Sequence, residues 1–236
     1  MNKWWKISYK RVENKGLELI SIHIPKTAGT SFRNTLKKTY GEQEVARLDI
    51  TKKGRISLNQ KRFRDKTLPA NVRVIHGHFS AAMFRDNFTV DSDIPYITWL
   101  RNPVDRVASN FYYLEKRLKE ILDERGSNLN ILSKMQKNLL EYASSPINQN
   151  RITKFLDGIE LSQFLFVGIQ EHYSEDLKQL SILLEWDKVE EYKHNITGTD
   201  YGLSKKDIDF ISSCNKNDIL LYEKALRLRD ERIKHF

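Results

Sequence analysis

Short apolar runs and segments of helical periodicity alternate along the chain. Residues 17–22 form an apolar run that predicts a strand, and in residues 31–40 apolar side chains recur at helical spacing until Gly41. Residues 96–100 are β-branched and aromatic, which is typical of a buried strand, and an amphipathic helix is expected from Pro103 onward. In both places a strand leads into a helix across a short loop.

The remaining pattern extends this arrangement. Residues 72–75 and 164–168 also predict buried strands, and residues 204–229 predict one or two closing helices that begin at a Ser204 cap. Strands that alternate with helices favour an α/β fold with a central, mostly parallel sheet flanked by helices. A length of 236 residues fits one such domain over residues 1–236.

The net charge of +9 is unevenly distributed. A dense basic block comprises Arg47, Lys52, Lys53, Arg55, Lys61, Arg62, Arg64 and Lys66. Residues 52–66 have little apolar periodicity, so we expect a mobile surface loop there. That loop either attracts a polyanion, such as an acidic glycan or a charged cofactor, or is simply solvated.

The loop between the first strand and the first helix concentrates groups that bind anions. Lys26 supplies a full positive charge, and Thr27, Thr30 and Ser31 supply hydroxyl donors. Gly29 lets the backbone approach a ligand closely, and the N–H groups at the start of a helix point outward. The loop therefore predicts a site for phosphate or sulfate. The alternative is an ordinary turn with a solvated lysine.

The same loop does not have the pattern of a nucleoside triphosphate site. A P-loop requires G-x-x-x-x-G-K-[S/T], whereas here Lys26 precedes Gly29 and no Gly-Lys pair follows. A second anion site is expected at Arg101, which ends the strand at residues 96–100, where open α/β sheets bind ligands. Ser109 lies about two turns into the following helix, so a second phosphate could be held between Arg101 and Ser109.

A His-Gly-His sequence follows the strand predicted at residues 72–75. His76 and His78 should therefore lie at the same edge of the sheet as the other two motifs, provided that the strands are parallel. Histidine suits proton transfer because its ordinary pKa is close to working pH. The alternatives are one core and one solvated histidine, or a metal site, although no nearby cysteine or carboxylate completes a ligand set.

The two loop motifs together resemble a known family. PKTAGTS and LRNPVDRVASNFYYL are similar to the two nucleotide-binding signatures of carbohydrate sulfotransferases that use 3′-phosphoadenosine 5′-phosphosulfate (PAPS). The closest resemblance is to the branch that contains heparan sulfate 2-O-sulfotransferase and bacterial relatives. This resemblance implies a P-loop-like sulfotransferase fold and an enzyme that transfers a sulfuryl group from PAPS. Because a sulfuryl group carries less charge than a phosphoryl group, no divalent metal is required in principle.

The resemblance also implies roles for individual residues. Arg101 and Ser109 would hold the 3′-phosphate, His78 would be the general base, and His76 would orient the site or contact substrate. Lys26 would stabilise the leaving phosphate. The residues implied to hold the 5′-phosphosulfate are Pro25, Lys26, Thr27, Ala28, Gly29, Thr30 and Ser31.

Weaker matches continue downstream. Lys154 stands where the family usually has arginine, and Glu171 is either a second acid–base candidate or a carboxylate that favours the first turn of a helix. In the family a late loop closes over the nucleotide, which makes Lys193, Asn195 and Thr197 weak candidates. The acceptor would be a hydroxyl-bearing glycan or glycolipid, with no role for nucleic acid.

Two other functions remain open: a basic module that binds nucleotides or polyanions without catalysis, and a kinase-like phosphotransferase. The sequence lacks an 18-residue apolar run and has a single cysteine, Cys214. Residues 1–11 lack the apolar segment of a signal peptide. These features favour a cytoplasmic bacterial enzyme, with no membrane span, over an excised catalytic domain.

Overall fold

The structure is a computed structural model that describes residues 16–91, 93–125, 138–187, 189 and 200–235. Within these residues the strands are β1 Leu19–Ile22, β2 Val45–Ile50, β3 Ile56–Leu58, β4 Lys61–Arg62, β5 Val74–His78, β6 Tyr96–Leu100 and β7 Phe166–Ile169. The helices are α1 Gly29–Tyr40, α2 Ala81–Asn87, α3 Pro103–Arg125, α4 Leu139–Ser144, α5 Arg151–Phe155, α6 Tyr173–Leu183, α7 Lys205–Cys214 and α8 Lys216–Ile233.

These strands form one sheet in the order β4-β3-β2-β5-β1-β6-β7. The five strands from β2 to β7 in that order are parallel, and β3 and β4 extend the edge as an antiparallel hairpin. The predicted α/β fold with a mostly parallel sheet is therefore confirmed. After β1 the chain crosses to β2 on one side, and after β6 it continues to β7 on the other. The carboxyl ends of β1 and β6 thus form the switch point where such sheets bind ligands.

Helices cover both faces of the sheet because the strands are apolar on both sides. On one face Phe32 and Leu36 of α1 and Leu177 of α6 join the core, together with Trp99 of β6. On the other face side chains from α2, α5 and α8 pack against the sheet, among them Phe84. A smaller cluster joins α3 to α4 and α7. The central strands are thereby held rigidly, and their carboxyl ends can position functional groups.

The loop expected at residues 52–66 is wrong for residues 56–62, which form a hairpin, and its mobility stays a prediction. Residues 51–63 form a turn followed by the β3–β4 hairpin, in which Thr51 N–H donates to the Arg55 carbonyl at 3.0 Å and Phe63 N–H donates to the Ile56 carbonyl at 3.0 Å. Leu58 is buried in the core, and Ile56 and Phe63 pack against it. Three apolar side chains are enough to fix the hairpin, although the surrounding basic residues obscure their pattern.

The His-Gly-His sequence also differs from its prediction, because β5 continues through it instead of ending before it. Gly77 makes this possible: a Cβ atom there would lie 1.8 Å from the Leu48 carbonyl oxygen of β2. His76 and His78 are therefore two residues apart in one strand and point to the same face of the sheet.

Other boundaries match closely. β6 spans the predicted residues 96–100, α1 begins two residues before its prediction, and the C-terminal segment forms two helices. Ser204 caps the first of them by accepting a hydrogen bond from Asp207 N–H at 3.2 Å. The late loop with Lys193, Asn195 and Thr197, which is expected to close over the nucleotide, lies outside the described residues.

Candidate active site

The loop after β1 has an unusual backbone. Lys26 and Ala28 adopt left-handed conformations, with φ values of 74° and 60°, and Thr27 stands between them. Alternating backbone handedness of this kind makes successive N–H groups converge on an anion. Thr27 is buried and its hydroxyl donates to the Ile24 carbonyl at 2.8 Å, so it holds the turn and does not face outward. Such strain in non-glycine residues is typical of functional loops.

The first turn of α1 is open to an anion. Its N-cap residue, Ala28, makes no capping hydrogen bond with its side chain, and the first turn contains no acidic residue. Thr30 is exposed at this end, whereas Ser31 is buried and Pro25 is half-buried. The N-terminal N–H groups and the helix dipole therefore act on the same location as Lys26.

Gly29 has a structural reason to be glycine besides the predicted close approach of a ligand. A Cβ atom at this position would lie 1.8 Å from Nε2 of His23, since the His23 ring packs directly on the Gly29 backbone. The loop is therefore built around a histidine that the sequence analysis did not single out.

Two cations meet at the switch point. Arg101 directly follows β6 and is only 7% exposed, and Lys26 is half-buried in the adjacent loop. Burial lowers the pKa of Lys26, and the nearby positive charge of Arg101 lowers it further. Among the ion pairs formed within the described residues, none includes either side chain. A buried and a half-buried cation, neither paired with a carboxylate in the part of the chain that the structure describes, form a site that attracts an anion.

A tyrosine side chain contacts each of the two cations. Lys26 Nζ lies 4.1 Å from the centre of the Tyr113 ring, and Arg101 Nη2 donates to Tyr201 Oη at 3.4 Å. Tyr113 belongs to α3, the helix that also carries Ser109, whose side chain is half-exposed. Lys26 and Arg101 thus lie at the same end of the sheet, next to the helix that carries Ser109. Their binding of a nucleotide stays a prediction.

The turn between β6 and α3 is fixed by Glu171. Its Oε1 accepts from Asn102 N–H at 2.8 Å, and its Oε2 accepts from the Tyr222 hydroxyl at 3.1 Å. The Asn102 side chain in turn caps α3 by accepting from Val104 N–H at 2.9 Å. Both oxygens of Glu171 are therefore engaged in bracing the backbone beside Arg101. This arrangement favours its structural role over an acid–base role.

His76 lies in the interior. It is 2% exposed, its Nε2 bonds the Gly29 carbonyl at 3.1 Å, and its Nδ1 bonds the Ser21 hydroxyl at 2.9 Å. Because a carbonyl only accepts, Nε2 carries the proton and Nδ1 accepts from the hydroxyl. Burial lowers the pKa of His76 to about 3. Of its two predicted roles, the structure permits orientation of the site and leaves no access for substrate.

His78 is placed differently, although it is only two residues away. Its Nδ1 donates to the His23 carbonyl at 2.9 Å, which leaves the lone pair of Nε2 to accept a proton. The ring is half-buried, and burial lowers the pKa of His78 below 6.5, while the His23 carbonyl and Asp49 act in the opposite direction. A neutral ring with one fixed nitrogen is the form that a general base requires.

His23 connects these two histidines. Its ring stacks on His78 with centroids 4.4 Å apart and on His76 with centroids 4.9 Å apart. Burial holds the pKa of His23 well below its usual value, and the neighbouring histidines lower it further. The only signal for His23 in the sequence is its position directly before the anion-binding loop. The stack joins that loop to the predicted base.

Asp49 was also missed by sequence reasoning. It lies opposite His78 in the β2–β5 pairing, accepts from His78 N–H at 3.3 Å and pairs with Arg47 at 2.8 Å. No motif marks Asp49, because only the strand register brings it to this place.

The segment that contains Lys154 borders His78. Lys154 Nζ donates to the carbonyls of Pro146 and Gln149, at 2.8 and 2.5 Å, so it fixes the preceding turn. The adjacent Phe155 ring meets His78 edge-on with centroids 6.1 Å apart, and the Arg151 guanidinium lies over that ring. Lys193, Asn195 and Thr197, the weak nucleotide candidates, lie outside the described residues.

The family model described as the sulfotransferase family matches residues 12–224. The chain belongs to the sulfotransferase family. The matched region contains every predicted site residue of this sulfotransferase, from Pro25 to Ser109, and extends into α8. The comparison does not separate a carbohydrate-specific branch from the rest of the family.

Solved structures also match this sulfotransferase, among them the crystal structure of mouse sulfotransferase SULT7A1 complexed with PAP. The two chains are 14% identical with a TM-score of 0.40, and the match covers 86% of this chain and 64% of the mouse chain. So distant a likeness supports no conclusion about the site. None of the curated proteins matches the sequence. No helix within the described ranges is long and apolar enough to cross a membrane.

Proposed function

We propose that this protein is a PAPS-dependent O-sulfotransferase that transfers a sulfuryl group to a hydroxyl of a carbohydrate or a similar acceptor. The observation that carries the proposal is the meeting of two unlike groups at one sheet edge. Lys26 and Arg101 follow β1 and β6 and are cations without carboxylate partners among the described residues. His78 ends β5, which pairs in parallel with β1, and its lowered pKa favours the neutral ring. Anion binding and proton removal are the two tasks that sulfuryl transfer to an alcohol requires.

The residues present fit a cosubstrate with two separate anionic groups. Lys26, the loop amides and the uncapped start of α1 suit the 5′-phosphosulfate, and Arg101 with Ser109 suits the 3′-phosphate. The loop lacks the Gly-Lys pair of a nucleoside triphosphate site, which argues against a kinase-like phosphotransferase.

The proposed mechanism assigns one task to each side chain. PAPS supplies the sulfuryl group, and the acceptor oxygen attacks sulfur in line as the bond from sulfur to the bridging phosphate oxygen breaks. His78 Nε2 takes the proton of the acceptor hydroxyl, while the His23 carbonyl holds the opposite nitrogen. Lys26 and the loop amides stabilise the negative charge that develops on the leaving phosphate. His76 holds the loop in place through Gly29.

The side chains around His78 indicate which class of acceptor would fit the site. Phe155 offers an apolar surface beside the base, and the positive charges of Arg47 and Arg151 act on His78. A hydroxyl-bearing glycan or glycolipid fits a cleft with an aromatic ring and cations next to the base. Sugar rings pack on aromatic faces, and cations favour acceptors that carry negative groups.

A cavity at the basic β3–β4 hairpin favours a second candidate function. A cavity of about 570 Å³ is lined by Lys53, Arg55, Arg62 and Arg64, together with Gly54, Ile56 and Phe63. Such a surface would suit a module that binds polyanions without catalysis. The positioned neutral His78 favours the enzyme, because binding alone requires no base.

The test is a thermal-shift comparison of the purified protein with PAP, the 3′,5′-bisphosphate product, against ADP and against ATP with Mg²⁺. A ligand at 100 times its dissociation constant stabilises the folded state by about 2.7 kcal/mol. We expect PAP to give the largest shift, followed by sulfate transfer from labelled PAPS to members of an acceptor panel. No response to PAP, or a larger response to ATP with Mg²⁺, would overturn the proposal. PAP binding without transfer to any acceptor would support the binding module.

A further inference from the structure

The segment before α7 lies against Arg101. Arg101 Nη2 donates to Tyr201 Oη at 3.4 Å, so the phenol oxygen acts as an acceptor in this contact. A phenol has one proton of its own, and that proton remains able to donate to a further acceptor. An anion bound to the guanidinium would therefore lie within reach of a second donor, the Tyr201 hydroxyl.

The Tyr201 ring is held in place by α3. It stacks on Tyr112 with centroids 5.4 Å apart and an angle of 4° between the rings. Tyr112 lies three residues after Ser109 on the same helix, and residues at that spacing share a helix face. Ser109 thus lies on the face of α3 that carries the stacked Tyr201 ring, and the hydroxyl of that ring contacts Arg101. The three residues come from three different elements of the chain.

From this arrangement we infer that Tyr201 is a further anion-binding residue, which acts with Arg101 and Ser109 and makes the enzyme select nucleotides that carry a phosphate at this location. The inference rests on the proposed function, in which that group is the 3′-phosphate of PAPS. No motif in the sequence marks Tyr201, because it lies about one hundred residues after Arg101 and meets it only in the folded chain.

The Tyr201 hydroxyl should contribute more to the affinity for phosphate than the ring does. A phosphate oxygen is a strong acceptor, and a hydrogen bond to a charged group is stronger than one between neutral groups. Removal of one such donor lowers affinity by roughly tenfold, and only for ligands that present the phosphate. A nucleotide without the 3′-phosphate gains nothing from the hydroxyl, so the loss should appear as a loss of selectivity.

The experiment compares Tyr201→Phe with the wild-type protein, because phenylalanine keeps the ring and its stack on Tyr112. Dissociation constants for PAP and for 5′-AMP, which lacks the 3′-phosphate, are measured by isothermal titration calorimetry. We expect PAP binding to weaken about tenfold while 5′-AMP binding stays unchanged. Tyr112→Leu removes the stacking partner and should also weaken PAP binding. Tyr96→Phe, at the opposite end of β6, is the matched control and should change neither constant.

Each other outcome overturns the inference. Equal weakening for PAP and 5′-AMP would show that Tyr201 contributes only packing. Tighter PAP binding by Tyr201→Phe would show that the hydroxyl competes with the phosphate for Arg101. Unchanged PAP binding would assign the phosphate to Arg101 and Ser109 alone and leave the proposed function intact. A wild-type protein that does not prefer PAP over 5′-AMP would overturn the inference together with the proposed function.

Discussion

The two halves of the site lie at the ends of neighbouring strands, and they differ in the charge that their side chains carry. The anion half consists of the loop after β1 and Arg101, and it keeps two cations without carboxylate partners among the described residues. The histidine half consists of His76, His23 and His78, which stack on one another and have lowered pKa values. Both halves contain buried and half-buried side chains, yet one remains positive and the other becomes neutral.

The difference follows from the chemistry of the side chains. Burial disfavours the charged form of any group, and histidine responds by losing its proton, because its ordinary pKa is close to neutral. A guanidinium group stays protonated under the same conditions. The chain therefore places an arginine and a lysine where a charge must persist, and histidines where a proton must be accepted. Burial alone therefore does not show which side chain binds an anion and which accepts a proton.

The largest expected effect comes from the histidine half. His78→Ala should lower kcat by roughly 10²- to 10⁴-fold because it removes the base, while leaving PAP affinity within about twofold, since the anion half is intact. Turnover is measured with labelled PAPS and the responding acceptor, and PAP affinity is measured by calorimetry.

Glu171→Gln is the matched control for that experiment. Glutamine can still accept from Asn102 N–H, so turnover should stay within about threefold of the wild type, with at most a modest loss of thermal stability. The base assignment would be wrong if His78→Ala kept its rate and Glu171→Gln lost it, because Glu171 would then be the base.

A smaller loss is expected from the anion half. Lys26→Met should lower kcat by roughly 10²- to 10³-fold, the range found when one preorganised group that stabilises developing charge is removed. Unlike His78→Ala, it should also weaken PAP binding, because Lys26 acts on the ground-state anion as well. Lys178→Met, on the exposed face of α6, is the control. An unchanged kcat with weaker PAP binding would limit Lys26 to binding.

The smallest expected effect concerns the pKa of His78. His78 is active when neutral, and its pKa lies below 6.5, so the acid limb of kcat/KM should lie below pH 6.5 in the wild type. Asp49 raises the pKa of His78, so Asp49→Asn should move that limb to still lower pH. The weaker base should also lower kcat, by roughly threefold.

A profile of kcat/KM from pH 5 to pH 8 measures this shift, with Asp230→Asn on the exposed face of α8 as the control. If the acid limb did not move, the titrating group would be something other than His78.

Local patterns predicted much of this protein correctly. β6 has its predicted bounds, α1 ends at Tyr40 directly before the predicted stop Gly41, and the confirmed α/β fold follows from strands that alternate with helices. These features depend on neighbours within a few residues, which the sequence displays directly. The hairpin at residues 56–62 was missed because its stability comes from packing on a distant core.

The roles of individual site residues were less accessible. His76 and His78 look alike in the sequence, but the strand buries one and leaves the Nε2 of the other able to accept a proton. The sequence could not show that Gly29 must accommodate the His23 ring, or that Tyr201 meets Arg101. Contacts of this kind join residues that are remote along the chain.

The sequence by itself determined the types of chemistry available: a loop rich in anion-binding groups, an arginine at a strand end, and two histidines nearby. The tertiary structure decided which of these groups keep their charge, which lose it, and which side chains hold them. The physical reason is that charge and proton affinity depend on burial and on partners, and both are set by the strand order β2-β5-β1-β6, which brings the ends of distant segments together.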